Sequence, residues 1–179
     1  MRLFLLHGDA KYIDVMERTL YNGLISGVSL DGKAFFYPNP LESRGQHERK
    51  PWFGVACCPG NMTRFIASVG GYQYATQGQT IFANLFAAGT ADVTLDGGAK
   101  VTLVQDTKYP WDGKVALTVK PAKAGTFAIN VRVPGWAQNA AVPSDLYAFV
   151  DKVATPVNWK QGQDVIIAGS VSDEDAKKT

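Results

Sequence analysis

The sequence predicts an α+β fold, in which a short N-terminal helical segment precedes an antiparallel β-sandwich or jelly roll. Over the first 71 of the 179 residues, apolar side chains recur every three or four positions, which is the spacing of amphipathic helices. Beyond that point, short runs alternate apolar and polar residues, and glycine-containing turns separate the runs. We therefore expect a helical domain at residues 1–71, which carries a double cysteine, and a β-sandwich domain at residues 72–179.

Two helices account for most of the predicted helical domain. Residues 10–26 place five apolar side chains on one helix face, namely Tyr12, Val15, Met16, Leu20 and Leu24. A second apolar face consists of Met62, Phe65, Ile66 and Val69, and Gly70-Gly71 ends that helix. A short strand, Ala34 to Tyr37, is predicted between them. Because an apolar face of this kind is commonly covered by another chain, we expect the first helix to mediate a homo-oligomer.

Seven strands are predicted beyond residue 71. They span residues 72–76, 80–87, 91–95, 100–105, 114–120, 126–133 and 165–168. In the runs 115–119 and 127–133 one face is large and apolar and the other is small or polar, which marks antiparallel strands with one buried face. Residues 158–164 predict a turn, and residues 170–179 predict a frayed terminus.

The composition excludes several classes of protein. With 46% hydrophobic residues, 19% charged residues and a net charge of +2, the chain has no concentration of basic side chains for nucleic acid. No apolar run approaches the roughly 18 residues that a membrane helix needs. Two cysteines are too few for a scaffold held together by disulfides. We therefore expect neither a nucleic-acid partner nor a membrane partner.

The first residues leave the localisation of the protein open. Met1 to Leu6 resemble the start of a signal peptide, but the apolar run stops at His7-Gly8-Asp9 without a small-residue cleavage site. We interpret this segment as the end of a helix whose beginning is missing. Gly8 would be its C-cap, and Asp9 the N-cap of the next helix.

The two cysteines are adjacent, at the start of the helix that follows Pro59. Neighbouring cysteines form a disulfide only with strain, so Cys57 and Cys58 are predicted to be free thiols. The unpaired N–H groups and the dipole at a helix N-terminus stabilise a thiolate. The pair therefore suits metal binding or nucleophilic chemistry, and burial of two small apolar side chains is the structural alternative.

Other residues are weaker candidates for a site. His47 lies ten residues before Cys57, a spacing that fits no common zinc motif, and a surface histidine is the simpler interpretation. Glu42 and Glu48 are interpreted as solvated loop carboxylates. Among the flat rings that could stack on a sugar, Trp111 is the best candidate, because its Tyr-Pro-Trp-Asp-Gly turn cannot easily bury a ring.

Several motifs, in order, resemble the β-L-arabinofuranosidases of glycoside hydrolase family 127. They are Gly8-Asp9-Ala10-Lys11-Tyr12, Glu17 to Gly23, Ser29 to Gly32, Phe35-Phe36-Tyr37, Asn39 to Glu42, Ala56-Cys57-Cys58-Pro59-Gly60-Asn61 and Val131 to Ala137. The resemblance covers most of the chain and is specific to about Ala137. It implies that the helical domain is a remnant of an (α/α)6 barrel.

The resemblance also implies a chemistry. Cys57 would be both nucleophile and zinc ligand, Cys58 a second zinc ligand, and Tyr37 an active-site residue near the sugar. The implied reaction is exo-acting hydrolysis of an arabinofuranoside or related glycoside with retention, in which a zinc-bound thiolate replaces the usual carboxylate and forms a thioglycosyl intermediate.

The chain departs from the family pattern at two points. The family's Glu-x-Cys zinc pair and its acid/base glutamate are expected upstream of this segment, and no Glu-x-Cys occurs in the sequence. We therefore expect the catalytic apparatus to be incomplete in this chain, which leaves its enzymatic activity open. Two alternatives remain, namely a non-catalytic carbohydrate-binding sandwich and a related exo-glycosidase that acts on another sugar such as a β-galactoside.

Overall fold

A computed structural model describes most of the chain and divides it into two compact units, Met1–Tyr72 and Gln73–Thr179. It describes residues 1–38, 40–123, 125–137, 149–150, 153–154, 157–159 and 165–169, the last four ranges by backbone alone. Helices occupy the first unit and strands the second. The predicted α+β class is therefore confirmed. No helix within the described ranges has the length and apolar character needed to cross a membrane.

The described part of the first unit contains helices and helical turns. They are α1 (Arg2–His7), α2 (Lys11–Arg18), a π-helical turn (Thr19–Leu24), a 3₁₀ turn (Ile25–Gly27), α3 (Cys58–Ser68) and a 3₁₀ turn (Val69–Tyr72). Gly8 ends α1 in the left-handed conformation with φ 65°, as predicted. The Asp9 carboxylate accepts the backbone N–H of Lys11 at 2.9 Å. The N-cap of α2 is the following residue, Ala10, and not the predicted Asp9.

The predicted helix over residues 10–26 is regular only to Arg18. Weak helix formers, including Asn22 and Gly23, follow at the π-helical turn. Within α2 the structure buries Ile13 and Glu17, neither of which belongs to the predicted apolar face. Val15 on that face is 65% exposed.

Short backbone bridges organise the segment between α2 and α3. Phe35 pairs antiparallel with Val28 on one side and with Lys50 on the other. The N–H and C=O groups of Phe35 and Lys50 exchange two hydrogen bonds of 2.9 Å. The predicted strand over residues 34–37 is thus reduced to a single bridged residue, and Tyr37 lies two residues beyond it.

The described residues of the second unit form two four-stranded sheets and a separate two-stranded sheet. The strands are β1 (Tyr74–Gln77), β2 (Thr80–Ala83), β3 (Gly89–Thr94), β4 (Lys100–Thr107), β5 (Val115–Pro121), β6 (Gly125–Val131), β7 (Phe149–Val150), β8 (Val153–Ala154), β9 (Val157–Trp159) and β10 (Val165–Gly169). The sheet orders are β1-β2-β6-β9 and β10-β5-β4-β3, and β7 pairs with β8. The β2–β6 pair is parallel, with Thr80 opposite Ala128, so the first sheet is mixed.

The core of the second unit draws side chains from both sheets, as in a sandwich. Its buried members are Ile81, Ala83, Leu95, Val101, Leu103, Leu117, Val119, Phe127 and Ile129. They alternate with exposed or half-buried residues along each strand, which confirms the predicted buried face of the strands.

The structure corrects the sequence prediction at two places near the C-terminus. Asn158 and Trp159, predicted to start a turn, instead belong to β9, where Trp159 pairs with Gly125 of β6. The short strands β7 and β8 were not predicted. The remainder of the predicted turn, residues 160–164, and the terminus 170–179 lie outside the described residues.

Candidate active site

Three side chains of the first unit form a continuous polar contact. The hydroxyl oxygen of Tyr37 lies 2.7 Å from Sγ of Cys57, and that sulfur lies 3.5 Å from Sγ of Cys58. Both cysteines are free and exposed to solvent. The structure therefore brings together three of the four predicted site residues, and it exposes both thiols.

The chain positions this contact through the segment between α2 and α3. The bridges at Phe35 hold the backbone that leads to Tyr37. The ring of Phe53 meets the Tyr37 ring edge-on at a centroid distance of 5.2 Å, and Trp52 meets Phe35 in the same way at 6.1 Å. Phe53 thus supports the tyrosine from the side.

Phe53 was not among the predicted site residues. The only sequence signal for it was the return of apolar residues at Trp52-Phe53 just before the cysteines, which indicates packing without naming a partner.

Helix α3 positions the cysteines from the other side. Cys57 immediately precedes the helix, Cys58 is its first residue, and the following Pro59 is buried and occupies the first turn. Proline suits this position because the first-turn N–H groups have no helical acceptor. The predicted placement of both thiols at a helix N-terminus is confirmed.

Hydrogen bonding determines which of the three groups gives up its proton most readily. The Tyr37 hydroxyl, followed by the Cys58 thiol, lowers the pKa of Cys57 below its usual value. The same contacts raise the pKa of Tyr37 and the pKa of Cys58. Cys57 is therefore the first to ionise, and Tyr37 and Cys58 donate hydrogen bonds to its sulfur. An exposed thiolate with two donors suits nucleophilic attack.

The two thiols match only part of a zinc site. Two sulfur atoms bound to a tetrahedral zinc with Zn–S bonds of about 2.3 Å lie about 3.8 Å apart. The two Sγ atoms of Cys57 and Cys58 lie 3.5 Å apart, which is close to that distance. A zinc site requires three or four protein ligands. Within the described residues no group of three or more His, Cys, Asp or Glu side chains could hold a metal. His47, Glu42 and Glu48 therefore do not complete a site with the cysteines.

The fourth predicted site residue, Trp111, belongs to the second unit. It lies in the turn between β4 and β5, and its side chain is 92% exposed. Among the other tryptophans, Trp136 stacks on Tyr109 and Trp52 is 51% exposed. The side chain of Trp159 lies outside the described residues.

A search of curated proteins finds two kinds of similarity. A "Non-reducing end beta-L-arabinofuranosidase" of Bifidobacterium longum subsp. longum is 38% identical over 151 residues, which cover 75% of this chain and 22% of that protein. A "Probable 1-Cys peroxiredoxin" of Bromus secalinus is 63% identical over 38 residues, which cover 21% of this chain and 19% of that protein. The second match is too short to show a family.

Solved structures give the same family. A GH127 β-L-arabinofuranosidase from Geobacillus stearothermophilus T6 matches 96% of this chain with 39% identity and a TM-score of 0.79. Another GH127 β-arabinofuranosidase matches 96% with 42% identity and a TM-score of 0.80. This chain covers 29% and 30% of those two chains, so it spans less than a third of the length of these relatives.

Family models extend the similarity over both units. The model of the "Beta-L-arabinofuranosidase, GH127 catalytic domain" matches residues 1–71, and that of the "GH127 middle domain" matches residues 80–178. The second match alone covers more than half of the chain. With the cysteine pair in the part that matches the catalytic domain, the chain belongs to the β-L-arabinofuranosidase family, glycoside hydrolase family 127.

Proposed function

We propose that this chain carries the nucleophile of a retaining, exo-acting glycoside hydrolase that removes β-L-arabinofuranosyl groups, and that Cys57 is that nucleophile. The observation that supports this proposal best is the 2.7 Å contact between Tyr37 and Cys57, together with the lowered pKa of Cys57. Residues 1–71 would supply the chemistry, and residues 72–179 would form the accompanying sandwich domain.

The reaction takes place in two displacements at the anomeric carbon. The Cys57 thiolate forms a bond from Sγ to this carbon, and the bond to the leaving oxygen breaks as that oxygen takes the electron pair and a proton from an acid. Water then attacks the same carbon, gives a proton to the conjugate base of that acid, and displaces the sulfur as a thiolate. Two inversions restore the original configuration, which is why the reaction retains it.

Tyr37 contributes by positioning the sulfur. Its hydroxyl donates to the thiolate and favours the ionised form, while the edge contact with Phe53 fixes the direction of the ring. We place Tyr37 beside the sugar, because a group in contact with the nucleophile also lies close to the carbon that the nucleophile attacks.

Zinc is the metal that we assign to this site. Cys57 and Cys58 would hold it, and further ligands would come from residues outside the described ranges, in this chain or beyond it. Bound zinc keeps a coordinating thiol deprotonated. Metal analysis of purified protein tests this assignment: we expect zinc in the wild type and its loss in Cys57→Ser and in Cys58→Ser. Equal zinc in the wild type and both variants would contradict it.

The nucleophile can be tested without an acid catalyst. A 2,4-dinitrophenyl β-L-arabinofuranoside has a leaving group that departs without protonation, so the first displacement needs only the thiolate. We expect intact-protein mass spectrometry to detect one added pentosyl group, located on Cys57 by peptide mapping. The Cys57→Ala variant should stay unlabelled, and Cys58→Ala serves as the matched control because it retains Cys57.

Labelling that persists in Cys57→Ala would overturn the assignment. The same assay with the corresponding β-galactoside tests the second candidate substrate. Faster labelling by the galactoside would identify a β-galactoside, rather than the arabinofuranoside, as the preferred substrate. The role of Cys57 would be unchanged.

Exposed apolar side chains in the first unit support the expected homo-oligomer. Leu5 and Leu6 of α1 are 59% and 76% exposed, and Val15 of α2 is 65% exposed. Contact with a second copy would remove this surface from water. We expect sedimentation velocity to show association that weakens in Val15→Glu, and a wild-type monomer at all concentrations would contradict the expectation.

A further inference from the structure

The turn between β4 and β5 exposes the large aromatic ring of Trp111 to solvent. Trp111 is 92% exposed, whereas Phe86 and Phe127 of the same unit are 8% and 5% exposed. A polar residue would serve equally well at the tip of such a turn. The exposed ring is therefore a candidate binding surface.

Hydrogen bonds hold the backbone under this ring in place. The N–H of Trp111 donates to the carbonyl of Lys108 at 2.9 Å. The Asp112 carboxylate accepts the N–H of Lys114 at 3.0 Å, and the Thr107 hydroxyl donates to the carbonyl of Lys114 at 2.7 Å. Because the backbone of this turn is already ordered, little conformational entropy is lost when a ligand binds to it, which favours binding.

Aromatic packing anchors the same turn to its unit. Tyr109 stacks on Trp136 at 6.2 Å and meets Phe86 edge-on at 5.6 Å. The turn thus keeps the Tyr109 ring against its own unit and projects the Trp111 ring into solvent. This division supports a binding role for Trp111 and a structural role for Tyr109.

The surroundings of the ring decide what kind of ligand it suits. Exposed charged side chains of both signs flank it, namely Lys108, Asp112 and Lys114. A stable protein interface buries roughly 800 Å² on each partner around an apolar centre, and one ring among charges does not supply this. A sugar ring presents an apolar C–H face to an aromatic ring and hydroxyl groups to charged neighbours.

We infer that Trp111 is a stacking platform for one sugar ring of an arabinose-containing saccharide, at a site separate from Cys57. The choice of arabinose rests on the proposed function, but binding at Trp111 does not require Cys57. Such a platform would hold the saccharide on the sandwich unit through a residue that takes no part in hydrolysis.

The test uses the Cys57→Ala chain, which cannot form the covalent intermediate. Its four indole N–H signals are followed by NMR during titration with arabinopentaose, and Trp variants assign them. We expect the Trp111 signal to move in proportion to bound sugar. Sorbitol, which offers hydroxyl groups without a ring, should leave the signal in place.

Two substitutions separate stacking from general apolar contact. The affinity of these two variants is measured by isothermal titration calorimetry, because they lack the Trp111 signal. Trp111→Phe keeps a flat ring and should bind within about threefold of the parent, whereas Trp111→Leu keeps only apolar surface and should lose about tenfold in affinity. Unchanged affinity in Trp111→Leu, or an immobile Trp111 signal, would overturn the inference. It would also be overturned if Trp111→Leu dissociated a dimer, because a second copy would then be the occupant of the ring. None of these outcomes depends on whether Cys57 acts as a nucleophile.

Discussion

The two units of this protein differ in how they hold their side chains. The second unit surrounds a cluster of nine buried apolar residues between two sheets. In the described part of the first unit, Phe4 and Ile13 are the only large hydrophobic side chains that are buried, and the reactive cysteines are exposed. The second unit therefore owes its form to a buried core, whereas the first unit positions its exposed thiols through a few individual contacts.

The largest effect is expected from breaking the core. Leu103→Ala removes a fully buried side chain from the cluster and should destabilise the second unit by about 2–5 kcal/mol. Ile13 is also fully buried but lies outside that cluster, so Ile13→Ala should destabilise its unit less. Hydrogen exchange read by mass spectrometry follows the amides of each unit separately.

The exposed Leu30 provides the control for both variants, since Leu30→Ala should change stability by no more than about 0.5 kcal/mol. If Ile13→Ala destabilised its unit as much as Leu103→Ala destabilises the second, the contrast between the two units would be wrong.

The next effect concerns the Tyr37–Cys57 contact. Because the tyrosine hydroxyl is the main cause of the lowered Cys57 pKa, Tyr37→Phe should raise that pKa. A raised pKa leaves less thiolate at neutral pH, so alkylation of Cys57 by iodoacetamide should slow there and recover at about pH 10 or above. The measurement is the pH profile of the alkylation rate.

Tyr12→Phe is the matched control for this variant, because Tyr12 lies in α2 and contacts His7 rather than the cysteines. An identical pH profile for Tyr37→Phe and the wild type would show that the tyrosine hydroxyl does not lower the pKa of Cys57.

A smaller shift in the same direction is expected at Cys58. Its thiol is the second cause of the lowered Cys57 pKa, after the tyrosine. Cys58→Ala removes this donor and should move the alkylation profile of Cys57 to higher pH, whereas Cys58→Ser keeps a donor and should move it less. Equal profiles for the alanine and serine variants would mean that the second thiol does not act as a donor.

The smallest effect is expected at a buried hydrogen bond of the second unit. The Gln105 amide donates to the Tyr74 hydroxyl at 2.6 Å and to the carbonyl of Leu85 at 3.2 Å. Tyr74→Phe removes one acceptor and leaves the other, so the loss should be about 0.5–1.5 kcal/mol in urea unfolding. A loss as large as that of Leu103→Ala would show that the polar contact, and not the apolar cluster, determines stability.

Much of the second unit could be predicted because its signals are local. Alternation along residues 115–119 identifies the buried positions Leu117 and Val119 without knowledge of the partner strand. The parallel pairing of β2 with β6 could not be predicted, since alternation gives the buried face of a strand but not the direction of its neighbour. Strand β9 is only three residues long, too short for alternation to be recognised, and two of its residues were therefore assigned to a turn.

In the candidate site, the local part was predictable and the long-range part was not. Pro59 and the apolar spacing after it place both thiols at the start of α3. The main cause of the lowered Cys57 pKa is a hydroxyl twenty residues earlier in the chain. The resemblance to the family identified Tyr37 as a site residue, but it did not predict the contact between its hydroxyl and the sulfur of Cys57.

By itself, the sequence determined the α+β class, the family and the position of the reactive pair, because these depend on residue order and on spacing within one element. Only the tertiary structure decided that Tyr37 meets Cys57, that Phe53 supports it, and that Trp111 is exposed. The physical reason is distance along the chain. A hydrogen bond between residues twenty positions apart depends on how the intervening backbone bridges fold the chain. The spacing of apolar and polar residues does not predict that fold of the backbone.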